Sequence, residues 1–259
     1  MPQHFYRPAG DGRYESTEHA VGVWTPSEQH MGAATGLLLH ELDRIPGGEG
    51  KRLARVSLDI IGRIPVGDCE ILTRVARPGK RIELVEAEWL ADGRTSLVAR
   101  GWRVETVDTS AAAGVEDAAM PGPDEAEPSG FMDAWEGGFV RAFEFRALPG
   151  MRPGAGSAWV RTGVGLVEGV APSPLAAALA GVDLANGLVP RFAPDAKAWG
   201  HPNLDLQLHL HRAPSAGWLG LDVRQTFGDD GIGLTSAVLH DGDGPFGRAE
   251  MILMVRPIG

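Results

Sequence analysis

The chain has a single cysteine, Cys69, and no apolar run long enough to span a membrane. One cysteine cannot form an internal disulfide, so we expect a reducing compartment and a buried, structural Cys69. The opening residues, MPQHFYRPAG, lack the basic and apolar regions of a secretory leader. We therefore expect a cytoplasmic protein without a membrane partner.

Basic side chains are also few: 24 Lys and Arg stand against 34 Asp and Glu, a net charge of −10. Such a surface repels a phosphate backbone or an anionic lipid surface, and we expect no nucleic-acid partner. An anionic ligand would have to be held by local arginines.

Several chemical motifs are missing. No glycine-rich loop joins a strand to a helix, and no Gly-x-Ser-x-Gly turn supplies a serine nucleophile. His201, His209 and His211 could suggest a metal site, but no second cluster of His, Asp or Glu accompanies them. We predict neither a metal nor a cofactor.

The clearest pattern in the chain is an alternation between residues 204 and 211. Leucine occupies every even position, and the odd positions carry Asp205, Gln207, His209 and His211. Side chains on a strand point to opposite faces with period two, which predicts a strand buried on one side. Its polar face is either exposed to solvent or part of a functional site.

Two halves of the chain repeat one order of elements. In the first half, an irregular lead-in (1–16) and a strand (17–24) precede a small-residue helix, Gln29–Ile45, and four strand-like runs. In the second half, a helix from Leu175 to about Leu188 precedes four more strand-like runs. The turn markers recur at a spacing of 149 residues: Pro65 and Pro214, Gly79 and Gly228, Asp92-Gly93 and Asp241-Gly242.

This spacing predicts an internal duplication. We predict an N-terminal unit over 1–108, an acidic Ala/Pro-rich linker over 109–130, and a C-terminal unit over 131–259. A helix wrapped by an antiparallel sheet, occurring twice, is a double hotdog. The predicted fold class is α+β, with two antiparallel sheets that each wrap a central helix.

The sequence also resembles the acyl-CoA thioesterase family of that fold, the type-II thioesterase-like proteins. The resemblance is a set of loose matches over nearly the whole chain outside the linker. The matching stretches are Trp24 with Gln29-His30-Met31-Gly32, Arg77-Pro78-Gly79-Lys80-Arg81 with LVEAEWLADG, Pro172-Ser173-Pro174-Leu175, Pro202-Asn203-Leu204-Asp205-Leu206, His211-Arg212 and GRAEMILMVRP.

The resemblance implies hydrolysis of an acyl-CoA thioester to a free acid and CoA by an activated water. In the family an Asp, a Thr or Ser, and a Gln from three strands hold that water. The Asp matches Asp205 and the hydroxyl matches Thr226, but the Gln position carries Met251. A thioether donates no hydrogen bond, so one water-holding group is replaced.

Four further residues are candidates for binding. Gln207 shares a strand face with Asp205 and could substitute for the family Gln. Backbone amides near Gly32, at the start of the first helix, suit a developing oxyanion, and His30 lies beside them. Arg212, near a strand end, is available for an anionic phosphate.

Two other functions stay open. The Met251 departure favours a hotdog that binds acyl-CoA or another hydrophobic ligand without cleaving it. A hydratase or dehydratase needs a paired carboxylate and histidine, and His209 is about 13 Å along the strand from Asp205. We expect the acyl chain between helix and sheet, and a homo-oligomer is possible.

Overall fold

The computed structural model describes residues 3–192 and 198–258, which form a strand-rich fold around one long helix. The strands are β1 His4–Gly10, β2 Arg13–Ser16, β3 Lys51–Ile60, β4 Asp68–Arg77, β5 Ile82–Ala91, β6 Arg94–Glu105, β7 Glu127–Pro128, β8 Phe143–Ala147, β9 Ala155–Thr162, β10 Gly165–Val167, β11 Trp199–Gly200, β12 Asp205–Leu210, β13 Leu219–Phe227, β14 Ile232–Asp241, β15 Gly244–Met254 and β16 Arg256–Pro257. The α-helices are α1 Met31–Arg44, α2 Gly138–Arg141, α3 Pro174–Ala178 and α4 Ala185–Leu188. Short 3-10 helices cover Glu18–Ala20, Ser110–Ala112, Pro123–Glu125 and Val182–Leu184.

Helix α1 lies at the centre of the first half. The helix predicted over Gln29–Ile45 is thereby confirmed. Every position from 31 to 40 is buried, because strands and the second half surround it. The helix ends at Arg44, just before Pro46-Gly47-Gly48. None of the helices in the described ranges is long and apolar enough to cross a membrane.

The predicted separation into two sheets is not what the structure shows. Fourteen strands form one continuous sheet, in the order β10-β1-β2-β4-β5-β6-β3-β12-β15-β14-β13-β9-β8-β7. The two halves join where β3 pairs antiparallel with β12, with Leu58 opposite Leu206. An unpaired edge strand exposes its backbone groups, and pairing the two edges satisfies both.

Strand order mirrors itself across this junction. On one side lie β3, β6, β5 and β4, and on the other lie β12, β15, β14 and β13. The turns correspond as well: Asp92-Gly93 joins β5 to β6, and Gly242-Asp243, one residue after the predicted marker Asp241-Gly242, joins β14 to β15. The topology therefore supports the duplication predicted from the spacing of turn markers.

Three local predictions were wrong. The lead-in before residue 17 is not irregular but forms the β1–β2 hairpin, which buries Phe5 and Tyr6. The stretch 17–24 is not a strand, because Thr17 caps the 3-10 helix Glu18–Ala20 instead. The second small-residue helix is interrupted near Gly181, whose backbone packs so closely on Phe143 and Val160 that a Cβ would lie 2.9 Å from both.

The acidic segment between the halves packs on the second half. The Trp159 indole N–H donates to the Pro121 carbonyl (2.9 Å), His240 Nε2 lies 3.2 Å from the Ala118 carbonyl, and Asp117 pairs with Arg248. Its acidic, Ala- and Pro-rich composition predicted a linker. The contacts instead fix part of it against β9, β14 and β15.

Candidate active site

A cleft opens at the N-terminal end of α1, where the two halves meet. It encloses about 890 Å³, part of it open to solvent. One wall comes from residues 22–25 and 28–31 of the first half. The opposite wall comes from the second half, around residues 183–187 and 201–203. Residues from both halves are therefore needed to form the cleft.

The polar centre of the cleft is a buried carboxylate. Asp183, in the 3-10 helix Val182–Leu184, is 4% exposed. Its Oδ1 accepts a hydrogen bond from the Asn203 amide (2.9 Å), and its Oδ2 lies 3.0 Å from His30 Nδ1. A buried carboxylate without partners is costly, so these two contacts stabilise Asp183.

His30 Nδ1 has two neighbours that compete for it. The backbone N–H of Gly32 points at it from 3.1 Å, as in a helix cap, and Asp183 Oδ2 lies 3.0 Å away. A ring nitrogen has one in-plane site, so it either accepts from Gly32 or donates to Asp183. A bare Nδ1 would face a carboxylate lone pair, so we assign the proton to Nδ1, donated to Asp183.

The rest of the cleft is mainly apolar and aromatic. Trp24 and Trp135 meet edge to face, with ring centroids 5.9 Å apart, and His201 lies about 6 Å from both. Burial lowers the pKa of His201, partly opposed by its hydrogen bond with Asn186. The neutral ring donates from Nε2 to the Asn186 carbonyl (3.2 Å).

The first residue of α1 contributes to the cleft. Met31 lines the cleft, and its backbone N–H has no hydrogen-bond partner among the residues that the structure describes. Amides at a helix N-terminus are unsatisfied and lie at the positive end of the helix dipole. An oxyanion in the cleft would meet a suitable donor there.

These groups fit the needs of acyl transfer to water. A carboxylate holds an imidazole, a backbone amide can receive negative charge, and apolar rings can cover an acyl group.

Comparison with known families agrees with this chemistry. Residues 123–255 match the family model described as the acyl-CoA thioesterase C-terminal domain, and residues 20–104 match the N-terminal domain. The first match alone covers just over half of the chain. The chain belongs to the acyl-CoA thioesterase family.

Solved structures show the same fold at low sequence identity. A protein of unknown function with a hotdog fold from Alicyclobacillus acidocaldarius is 13% identical, with a TM-score of 0.74 over 95% of this chain and 93% of that one. A candidate thioesterase from Novosphingobium aromaticivorans is 19% identical, with a TM-score of 0.72 over 96% and 98%. An acyl-CoA thioesterase II from Mycobacterium marinum is 14% identical, with a TM-score of 0.69 over 98% and 95%. No curated protein matches the chain.

In this family member the structure does not bring Asp205 and Thr226 together. Strands β15 and β14 lie between their strands, which separates them by roughly 14 Å at the usual strand spacing. Thr226 is exposed, and Asp205 faces away from buried Leu206 and accepts the Ile252 N–H (2.7 Å). Neither is among the described residues that line the cleft.

Met251 lies on the other face of the sheet from Asp205. It is 1% exposed, and its sulfur is 3.7 Å from the Asn203 amide. Gln225, next to Thr226 on β13, faces inward and donates to the Asn186 carbonyl (3.0 Å). Strand alternation therefore turns Gln225, rather than Thr226, toward the interior.

Gln207 and Arg212 are held by structural contacts. Gln207 does share a face with Asp205, and its amide donates to Oδ2 (3.1 Å) on the outside of the sheet. Arg212 uses all five N–H groups within the chain: two on Asp241 and one each on three carbonyls, of Ala213, Gly244 and Pro245. No donor is left for the predicted phosphate.

His30 and Gly32, the two binding residues predicted at the start of α1, lie in different environments. His30 lines the cleft, as its predicted binding role requires. Gly32 is covered by the ring of Phe139, which a Cβ would approach to 2.4 Å. The glycine thus admits a neighbouring side chain, and Met31 rather than Gly32 lines the cleft.

Sequence reasoning missed Asp183, Asn186 and the role of Asn203. The signal was present in the run GVDLANGLV, where one carboxylate and one amide interrupt an apolar segment. A charged residue in such a segment is buried only with partners. Its partner, His30, is 153 positions away, so no local spacing could have revealed the pair.

Proposed function

We propose that this chain hydrolyses acyl-CoA thioesters to a free acid and CoA in the cleft between its halves. Family membership carries the reaction class, and one observation carries the location. A buried carboxylate–imidazole pair lines the same cleft as Met31, whose backbone N–H has no partner among the described residues. Such a site supplies a base and an oxyanion donor within one cavity.

The acyl group lies in the cleft at the N-terminal end of α1 rather than along the helix. The space between helix and sheet is filled, since Leu37, Leu38, Leu39 and Leu42 are at most 1% exposed. We assign the acyl group to the apolar side chains of the cleft, with Trp24 and Trp135 at its wall. This replaces the chain path expected from sequence.

Arg63 is the cation placed to meet the phosphates of CoA. It lines the cleft and its side chain is 86% exposed, with an ion pair to Glu28 at 3.3 Å. Exposed pairs of this kind are weak, so a phosphate can displace the carboxylate. This role was predicted for Arg212, whose donors are all occupied.

The test is release of free thiol from acyl-CoAs of graded chain length. We expect turnover with short and aromatic acyl groups and a loss of rate with long chains. Calorimetry on the same substrates distinguishes the rival function: tight binding without thiol release would select a non-hydrolytic acyl-CoA binder, and release excludes it.

A second candidate activity is favoured by one specific observation. Hydration of an enoyl thioester requires a paired carboxylate and imidazole, and the structure has that pair in His30 and Asp183 rather than in Asp205 and His209. Loss of the enoyl absorbance without thiol release would establish this activity.

We also propose the predicted division for the whole chain, with hotdog units over 1–108 and 131–259 joined by 109–130. A second copy is the expected partner. Exposed apolar residues lie in register on the outer face of the second unit, with Ile232 opposite Met254 and Leu234 opposite Ile252. Light scattering on the purified chain reports whether it is a dimer.

A further inference from the structure

We propose that His30 is the general base of this site and that Asp183 is the residue that positions it. This inference rests on the proposed thioester hydrolysis and deepens it. It also reassigns the chemistry, from the strand residues suggested by family resemblance to a pair contributed by the two halves.

The pair is built into the interior rather than placed on the surface. The side chains of His30 and Asp183 are 14% and 3% exposed, and Nδ1 and Oδ2 are 3.0 Å apart. Asn203 fixes the other carboxylate oxygen at 2.9 Å. With both oxygens held, the carboxylate has one orientation, and so has the ring that it binds.

The position of the Nδ1 proton determines what the ring can do. With that proton donated to Asp183, Nε2 carries a lone pair, and no described residue forms a hydrogen bond with Nε2. The ring also stacks on Phe139, with centroids 4.3 Å apart and an interplanar angle of 18°. A fixed imidazole with a free lone pair at the cleft is suited to deprotonate water.

The reaction balances with these groups alone. The water oxygen bonds to the thioester carbonyl carbon as its proton passes to His30 Nε2, and the carbonyl π pair moves to the oxygen facing the Met31 amide. The C–S bond then breaks as the carbonyl reforms, and the departing sulfur takes the proton from Nε2. The products are a carboxylic acid and free CoA thiol, and His30 is again neutral.

Asp183 stabilises the imidazolium formed in the first step. Its negative charge lies 3.0 Å from the ring and is screened from solvent, so the interaction is stronger than at a surface. It also maintains the tautomer that the next turnover needs. Asp183 touches no reacting atom in this account.

The experiment compares two substitutions of one residue, assayed by thiol release from the best acyl-CoA substrate. His30→Gln keeps an N–H donor for Asp183 but has no basic nitrogen. His30→Ala removes the side chain and leaves space for added imidazole. The matched control is His209→Ala, an exposed histidine on the outer face of β12.

We expect both His30 substitutions to lower kcat by about 10²–10⁴-fold and His209→Ala to change it less than twofold. Imidazole in the buffer should restore part of the activity of His30→Ala and none of that of His30→Gln. If the ring had only a structural role, His30→Gln would be the more active variant even with imidazole present, because Gln preserves the contact with Asp183.

Three outcomes overturn the inference. His30→Gln that retains activity within threefold of the wild type shows that the ring only packs. The second is a His30→Ala variant whose circular dichroism spectrum is unchanged but whose activity imidazole does not restore, which shows that no base was lost. A wild type that releases no thiol from any acyl-CoA overturns the proposed function itself, and thereby separates that failure from the other two.

Discussion

Arg212 shows how a residue with a convincing sequence signal can have another role. It follows a histidine at a strand end, as a phosphate-binding arginine could, yet its guanidinium is fully used within the β14–β15 turn. It holds Asp241, whose side chain is 3% exposed. Burial alone would raise the pKa of Asp241, but Arg212 and the amides of Ser215 and Asp243 keep the pKa below its usual value.

Substitution of Arg212 should therefore affect stability rather than substrate binding. Arg212→Ala leaves a buried carboxylate without its cation, and we expect a loss of about 3 kcal/mol in the free energy of unfolding, measured by urea denaturation. Arg224→Ala is the control, because its pair with Asp222 is more exposed and should be worth less than about 1 kcal/mol. A higher KM for acyl-CoA with unchanged stability would contradict this assignment.

Two buried histidines should make stability depend on pH. Burial lowers the pKa of both His40 and His201, and His40 Nδ1 accepts the Ser173 N–H (2.9 Å), which protonation would prevent. Below about pH 6.5 the unfolded chain binds protons that the folded chain resists, so stability falls as pH falls.

We expect each histidine to contribute at most about 1.4 kcal/mol per pH unit to that fall. Urea midpoints measured between pH 7 and pH 5 test it. His40→Gln keeps an acceptor for Ser173 and should flatten the curve, and His209→Gln should leave it unchanged. A curve of the same slope in His40→Gln would show that His40 does not titrate in this way.

Helix α1 is the element on which the site depends, and two of its glycines have different environments. A Cβ at Gly32 would lie 2.4 Å from the buried Phe139 ring and 3.2 Å from Asp183. A Cβ at Gly36 would meet only Leu166 Cδ1, at 3.2 Å.

Alanine at these positions should therefore act in opposite directions. Gly32→Ala should cost about 1–3 kcal/mol by overpacking and should also lower kcat, since it displaces Asp183. Gly36→Ala should be neutral or stabilising by up to about 1 kcal/mol, because alanine favours the helix. Thermal denaturation of the two variants gives the comparison, and equal effects would contradict the packing described for Phe139.

At the same scale, the sequence predicted elements with periodic patterns and missed those without. The alternation over 204–210 is visible because it buries one regular face, and α1 is visible as a run of small and apolar residues that is buried on all sides. The β1–β2 hairpin was missed because Pro8 and Gly10 obscure its pattern, and its strands are recognised only by their pairing with β4 and β10. Asp183 was missed for a related reason, since its partner comes from the other half.

The two halves of the molecule share one sheet and one cleft, and neither completes the site alone. Arg52 of β3 donates to the Leu210 and His211 carbonyls across the junction (3.1 and 2.7 Å). Duplication was predictable from turn spacing, but the edge pairing of β3 with β12 was not, since no local pattern specifies which edges meet.

This continuity predicts cooperative unfolding of the whole chain. Calorimetry should show a single transition whose calorimetric and van't Hoff enthalpies agree. Two separated transitions, one for each half, would contradict the interpretation that the junction and the cleft couple them.

We propose that thioester chemistry occurs in the cleft between the halves, and one comparison tests this location most directly. Asp183→Asn and Asp205→Asn are the same chemical change, made once in the cleft and once on the outer face of β12. We predict that Asp183→Asn lowers kcat for thiol release by about 10²–10⁴-fold while Asp205→Asn stays within about fivefold of the wild type. The reverse ranking would place the reaction on the outer face of β12 and contradict the account.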